Sequence, residues 1–216
     1  MYSLSLIHKS SMKKNINQRG AAPHKTTPST KGEVRIIAGL WRGRKLQVLN
    51  SQGLRPTGDR VKETLFNWLM PYITDACCLD CFAGSGSLGL EALSRQAKQV
   101  IFLELDKKVS ENLIKNLQEL KCNRAKVINQ NSLDFLKQSK NSPHFTGFDI
   151  VFIDPPFHLN LAEQTVLLLE QNDWLNPNAL IYVETEKNKS LVIPDNWLLL
   201  KEKTTGMVSY RLYKKP

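Results

Sequence analysis

Short, continuously apolar runs alternate with helix-spaced apolar residues along most of this 216-residue chain. Runs near residues 76–82, 100–104, 125–129, 148–153, 179–184, 196–202 and 207–213 predict strands, and the spacing near 87–96, 107–121, 132–139 and 160–171 predicts helices between them. Strands that are apolar at every position are buried on both faces, and interleaving them with helices builds a mostly parallel sheet covered on both sides. The last two runs are joined by Lys203-Thr204-Thr205-Gly206. That link is too short for a crossover, so this pair is expected to be antiparallel. Upstream, Val34–Ile37 and Lys45–Leu49 flank Gly39-Leu40-Trp41-Arg42-Gly43-Arg44 and predict a small basic hairpin with an aromatic at its turn. Arg55-Pro56-Thr57-Gly58-Asp59-Arg60 leads into a helix whose apolar stripe is Val61, Leu65, Phe66, Trp68 and Leu69. The expected fold class is α/β with about seven strands and a hairpin at the front.

Composition narrows the partners. The chain is 41% hydrophobic, enough for one sizeable core. No apolar run approaches the roughly 20 residues that span a bilayer, so no membrane role is expected. The net charge is +10 and is unevenly placed: residues 1–31 carry +6, residues 32–62 carry +5 and the remainder −1. A basic front on a neutral body points to a polyanion such as nucleic acid. Residues 1–31, rich in Ser, Thr, Lys, Asn and Pro, read as a disordered basic tail. Residues 32–216 read as one domain, with 32–57 as a hairpin extension and 58–216 as the α/β body. Cys78 and Cys81 have C-x-x-C spacing, but no second pair completes a zinc set and the pair straddles an expected buried strand. Cys77, Cys78, Cys81 and Cys122 therefore read as structural thiols of a reducing cytoplasm. His8, His24, His144 and His158 form no metal pattern, and no metal is expected. A monomer is expected.

Two motifs carry chemistry. Leu79-Asp80-Cys81-Phe82-Ala83-Gly84-Ser85-Gly86-Ser87-Leu88-Gly89 is a strand running through a Gly-x-Gly-x-x-Gly turn into a helix. Dinucleotide sites and S-adenosylmethionine (SAM) sites share that spacing. Glu104, 20 residues beyond Gly84 at the end of a second strand, suits ribose hydroxyls. Asp80 argues against a pyrophosphate, which a carboxylate repels, and for an ammonium group. Downstream, Phe148–Ile153 runs into Asp154-Pro155-Pro156-Phe157. Neither proline donates a backbone hydrogen bond, so pairing stops and leaves a carboxylate, free carbonyls and an aromatic face side by side. That set suits a planar base bearing an amino group. All three features fall at strand carboxyl ends, where ligands bind in such sheets.

Together these residues resemble Rossmann-like SAM-dependent methyltransferases. More narrowly, the chain resembles the bacterial family that methylates the 2-amino group of one guanine in small-subunit (16S) rRNA. The narrow resemblance rests on Arg35-Ile36-Ile37-Ala38-Gly39, Trp41-Arg42-Gly43-Arg44-Lys45-Leu46, Leu54-Arg55-Pro56-Thr57 and Asp59 through Leu69. It spans about residues 33–213. The resemblance implies that Asp80, Phe82, Ala83, Gly84 and Gly86 hold the methionine end of SAM, and that Glu104 and Leu105 meet its ribose side. It places Asn131 and Ser132 against the adenine, although many methyltransferases carry Asp where Asn131 stands. It makes Asp154, Pro155, Pro156 and Phe157 catalytic, and Arg35, Trp41, Arg42, Arg44, Lys45, Arg55 and Arg60 an RNA-binding surface. The implied partner is 16S rRNA within the small ribosomal subunit or its assembly intermediate. Two other readings stay open: an amino-group methyltransferase acting on adenine in DNA or glutamine in protein, and a non-catalytic RNA-binding assembly protein.

Overall fold

The apolar runs between residues 76 and 213 assemble into one sheet. The computed structural model describes residues 32–49, 58–138, 147–157 and 159–216. The basic tail 1–31, Arg55 and His158 lie outside the described residues. The hairpin comprises β1 (Gly32–Arg35) and β2 (Lys45–Val48), paired antiparallel as a separate two-stranded sheet. Then follow α1 (Asp59–Leu69), β3 (Cys77–Asp80), α2 (Ser87–Ser94), β4 (Gln99–Glu104), α3 (Lys107–Glu119), β5 (Ala125–Asn129) and α4 (Ser132–Leu136). The chain closes with β6 (Phe148–Ile153), α5 (Leu161–Gln171), β7 (Leu175–Glu186), β8 (Leu198–Thr205) and β9 (Val208–Lys214).

The seven-stranded sheet has the order β5-β4-β3-β6-β7-β9-β8. Strands β3 to β7 pair in parallel, while β9 inserts between β7 and β8 and runs antiparallel to both. The strand order therefore reverses direction between β3 and β6, which opens a crevice at their carboxyl ends. One face of the sheet packs Cys78, Phe102, Phe152 and Tyr182 against α1, α2, α3 and the hairpin. The other packs Leu79, Val151, Ile181 and Val183 against α4, α5, Trp174 and Trp197. Val34, Ile36, Leu46 and Val48 of the hairpin are buried in the same core as Leu65, Phe66 and Leu93 of the body. Cys78 and Cys81 are buried, and burial pushes both thiols well above their ordinary range, as inert structural thiols require.

Two boundaries differ materially from the sequence expectation: β8 runs on to Thr205 and takes in most of the expected Lys203-Thr204-Thr205-Gly206 link, and β7 starts early. β7 begins at Leu175, not near 179, and runs through Asn176-Pro177-Asn178. Its pairing with β6 slips between Phe148 and Ile150, so the partner jumps from Leu175 to Leu180. The bulge accommodates Pro177, which has no N–H to give to a ladder. Among the described residues, no helix is long and apolar enough to cross a membrane.

Candidate active site

The glycine turn leaves β3 at Asp80 and enters α2 at Ser87. Gly86 caps the helix in a left-handed conformation (φ 76°), and a Cβ there would lie 2.5 Å from Leu113 Cδ1. The left-handed backbone disfavours a side chain here, and the Leu113 methyl would have to shift to admit one. Asp80 is 3% exposed. Its Oδ2 accepts the Gly89 N–H at 3.1 Å, and the backbone of Phe82 supplies a further hydrogen bond. Burial outweighs these two donors, and with the charges of Asp154 and Glu104 it pushes the Asp80 carboxyl up to about 7. Among the described residues no Lys or Arg pairs with it. A buried carboxylate served only by backbone amides is an incomplete ion pair, and a ligand ammonium would complete it.

Glu104 ends β4 beside this turn. Its Oε2 accepts the Gly84 N–H and its Oε1 the Asp106 N–H, both at 2.8 Å. Glu104 is therefore already oriented by the glycine turn, with lone pairs left for hydroxyl donors. Leu105 beside it is 68% exposed, an apolar surface at the rim. Asn131 and Ser132 reach the same rim with backbone tasks of their own. Asn131 caps α4, its Oδ1 accepting from Leu133 N at 2.9 Å and Asp134 N at 3.2 Å. The buried Ser132 hydroxyl donates to the Cys81 carbonyl and so ties α4 to the glycine turn. Asn serves as an N-cap as well as Asp does, which accounts for the departure at this position without reference to a ligand.

On the other side of β3, β6 delivers the Pro-Pro motif. Asp80 lies level with Phe152, so Asp154 stands one step further out along the rim. Pro155 is buried, Asp154 and Phe157 are half-buried and Pro156 is exposed. A small cleft opens here, lined by Pro155, Pro156 and Phe157 with Leu161, Glu184 and Lys189. Asp80, Glu104 and Asp154 thus come from three adjacent strands, β3, β4 and β6, at one end of the sheet.

The family described as "Conserved hypothetical protein 95" matches residues 34–214. The chain belongs to this family. It is 75% identical over 190 residues to the Ribosomal RNA small subunit methyltransferase D of Haemophilus influenzae, covering 87% of this chain and 97% of that protein. The solved structure of the Escherichia coli protein yhhF is 55% identical with a TM-score of 0.79, covering 85% of this chain and 98% of that one. The 16S rRNA N2 G1207 methyltransferase of T. thermophilus, solved with AdoMet and guanosine, superposes with a TM-score of 0.62 at 18% identity, over 86% of this chain and 50% of that one. The fold is the Rossmann-like fold of SAM-dependent methyltransferases.

The family match takes in the hairpin, which is latched to α2 by groups the sequence did not reveal. Glu91 is fully buried, and its carboxylate accepts Ile37 N–H at 2.8 Å, Ala38 N–H at 3.0 Å and Arg95 Nε–H at 2.8 Å. Ser94 Oγ donates to the Ala38 carbonyl at 2.6 Å and accepts Trp41 N–H at 3.0 Å. Gly39 (φ 80°) passes so close that a Cβ would lie 2.0 Å from the Ser94 carbonyl oxygen. Lys62, 1% exposed, donates to the Arg35 carbonyl at 2.6 Å and to Ser87 Oγ at 3.2 Å, joining hairpin, α1 and the start of α2. Outward from this latch, Arg35, Arg42, Arg44, Lys45 and Arg60 are exposed. Lys45 pairs with Glu33 at 3.2 Å, and Trp41 is half-buried against the core. The turn therefore presents arginines outward while its aromatic is largely occupied in packing. Glu184, on the cleft beside the Pro-Pro motif, is a further residue that sequence reasoning did not single out.

Proposed function

We propose that this protein is a SAM-dependent methyltransferase that places a methyl group on the 2-amino group of a guanine in small-subunit (16S) rRNA. The observation that carries the reading is the convergence of Asp80, Glu104 and Asp154-Pro155-Pro156-Phe157 on three adjacent strand ends. The name of the 75% identical Haemophilus influenzae relative supports the RNA substrate.

SAM supplies a sulfonium methyl group, and the electron pair of the broken S–C bond returns to sulfur. Asp80 completes its ion pair with the ammonium of the methionine end, the Gly84–Gly86 turn lets that end approach the backbone, and Glu104 accepts from the ribose hydroxyls. Asp154 and the Pro155 carbonyl accept the two amino hydrogens of the target base, while Phe157 stacks on its face. A guanine amino lone pair is delocalised into the ring and is a weak nucleophile. Acceptors that fix the amino group toward the methyl compensate by orientation and electrostatics. As the N–C bond forms, the amino proton passes to the Asp154 carboxylate. The base leaves its stack or comes from a loop to reach the cleft. Arg35, Arg42, Arg44 and Arg60 on the hairpin side attract the phosphate backbone.

The test is transfer of labelled methyl to small-subunit particles, to DNA and to a protein glutamine substrate, followed by nucleoside mapping. Label on a guanine N2 of 16S rRNA is expected. Label on DNA adenine or protein glutamine would replace this reading. SAM binding with no transfer to any substrate would favour an RNA-binding assembly role.

A further inference from the structure

We infer that Glu184 reads the Watson–Crick edge of the target guanine, accepting its N1–H while Asp154 holds the neighbouring amino group. The inference rests on the guanine reading above and adds the residue that separates guanine from other bases carrying a 2-amino group.

The placement follows from the sheet. β6 and β7 run parallel with Ile153 level with Val183. Asp154 follows directly on the end of β6 and Glu184 continues β7, so the two carboxylates stand at neighbouring positions at this end of the strand pair. Glu184 lines the cleft together with Pro155, Pro156 and Phe157. It is only 8% exposed, so its carboxylate is not a solvated surface charge. Tyr182, fully buried one step inward on the same face, donates its hydroxyl to Glu184 Oε2 at 2.9 Å. Burial, with the charges of Glu184 and Asp154, holds that hydroxyl well above its ordinary range, so it remains a donor. Tyr182 thereby fixes one carboxylate oxygen in place from below.

The chemistry of the edge matches. Guanine offers contiguous donors there, N1–H and the 2-amino group. Two adjacent carboxylates are acceptors only, so together they suit two adjacent donors. A base with a lone pair at N1 would instead meet the Glu184 carboxylate acceptor to acceptor. A site built around such a hydrogen bond rejects analogues that lack it, because its own buried group is left unpaired.

The experiment uses full-length protein and small-subunit particles assembled on 16S rRNA with guanine or 2-aminopurine at the mapped position. 2-Aminopurine keeps the 2-amino group and the ring but presents a lone pair at N1. Wild-type protein should methylate the guanine particle with a kcat/KM about 10- to 100-fold above the 2-aminopurine particle, the worth of one specific base contact. Glu184→Gln should lower transfer to guanine and bring the ratio to within about threefold, because with Oε1 held by Tyr182 the amide nitrogen faces the base and donates to a lone pair at N1. The melting temperature of this isosteric variant should stay near that of the wild type, since Gln Oε1 still accepts from Tyr182. An unchanged ratio in Glu184→Gln overturns the inference while leaving the guanine reading intact. A wild-type protein that labels no guanine in the particle sinks the guanine reading and this inference together.

Discussion

The two ends of α2 hold buried carboxylates in opposite conditions. At its last turn, Glu91 receives two backbone amides of the hairpin and the Arg95 guanidinium. At its first turns, Asp80 receives backbone amides alone and is pushed up to about 7. A carboxylate that meets its cation within the fold is settled when the chain folds. One that lacks a cation leaves the fold with an unmet electrostatic demand, and such demands cluster where ligands bind. The same helix thus meets a finished structural joint through Glu91 and an unfinished ligand site through the Gly89 amide.

The largest expected effect breaks the finished end. Glu91→Ala removes the acceptor shared by Ile37, Ala38 and Arg95, and should destabilise the protein by about 3–5 kcal/mol, the scale for breaking a buried charged pair. Chemical denaturation measures it. A loss below about 1 kcal/mol would mean that water reaches the joint and that the contrast with Asp80 is false.

The rim should answer in activity rather than stability. Asp154→Ala is expected to cost about 10²–10³-fold in transfer, the scale for one preorganised electrostatic contact. SAM affinity by calorimetry should stay within about threefold, because Asp154 sits on a different strand end from Asp80 and Glu104. Transfer that survives within about tenfold would remove Asp154 from the mechanism.

Asp80 sharpens the contrast through pH. Its carboxyl rises from 3.8 to about 7 on folding. Between those values the folded chain holds a proton that the unfolded chain has released, so unfolding free energy falls as pH rises through this window and levels off above it. The change should be about 4 kcal/mol and should shrink in Asp80→Asn. Saturating SAM should stabilise the wild type more at pH 8 than at pH 5, because the ammonium favours the charged carboxylate. Parallel pH profiles for wild type and Asp80→Asn would show that another group controls the slope.

The smallest of these effects concerns Glu104, whose oxygens already serve two backbone amides. Glu104→Ala should weaken SAM binding by about 1.5–3 kcal/mol, the worth of hydrogen bonds to a charged acceptor. Unchanged calorimetric affinity would place the ribose elsewhere and reduce Glu104 to a brace for the glycine turn.

What could be read from the sequence divides along the range of the interactions. Elements whose signals are local were legible: the continuous apolar strands, the Gly84–Gly86 turn, the short link that makes β8 and β9 antiparallel, and the acidic strand ends. Groups whose partners lie far along the chain were not. Glu91 looks like a solvated helix acid until the fold brings Ile37 and Ala38 to it, 54 and 53 residues away. Lys62 reads as a charge on a basic face, yet it is buried against Arg35 and Ser87. Glu184 becomes notable only through the register that sets it beside Asp154. The start of β7 was hidden because Asn176-Pro177-Asn178 carries turn residues that a bulge absorbs.

The latch also bears on the order in which the chain acquires structure as it is synthesised. The hairpin leaves the ribosome before the α/β body, but an isolated two-stranded hairpin is marginal in water. Its acceptors and donors arrive much later: Glu91 and Ser94, then Asn112 and Asn116, whose amides hold the Gln47 carbonyl at 2.8 and 3.0 Å. The hairpin must therefore wait until Asn116 has emerged. Until then Val34, Ile36, Leu46 and Val48 remain open to solvent or to a chaperone, and closure of the hairpin is a late, long-range event in the maturation of the fold.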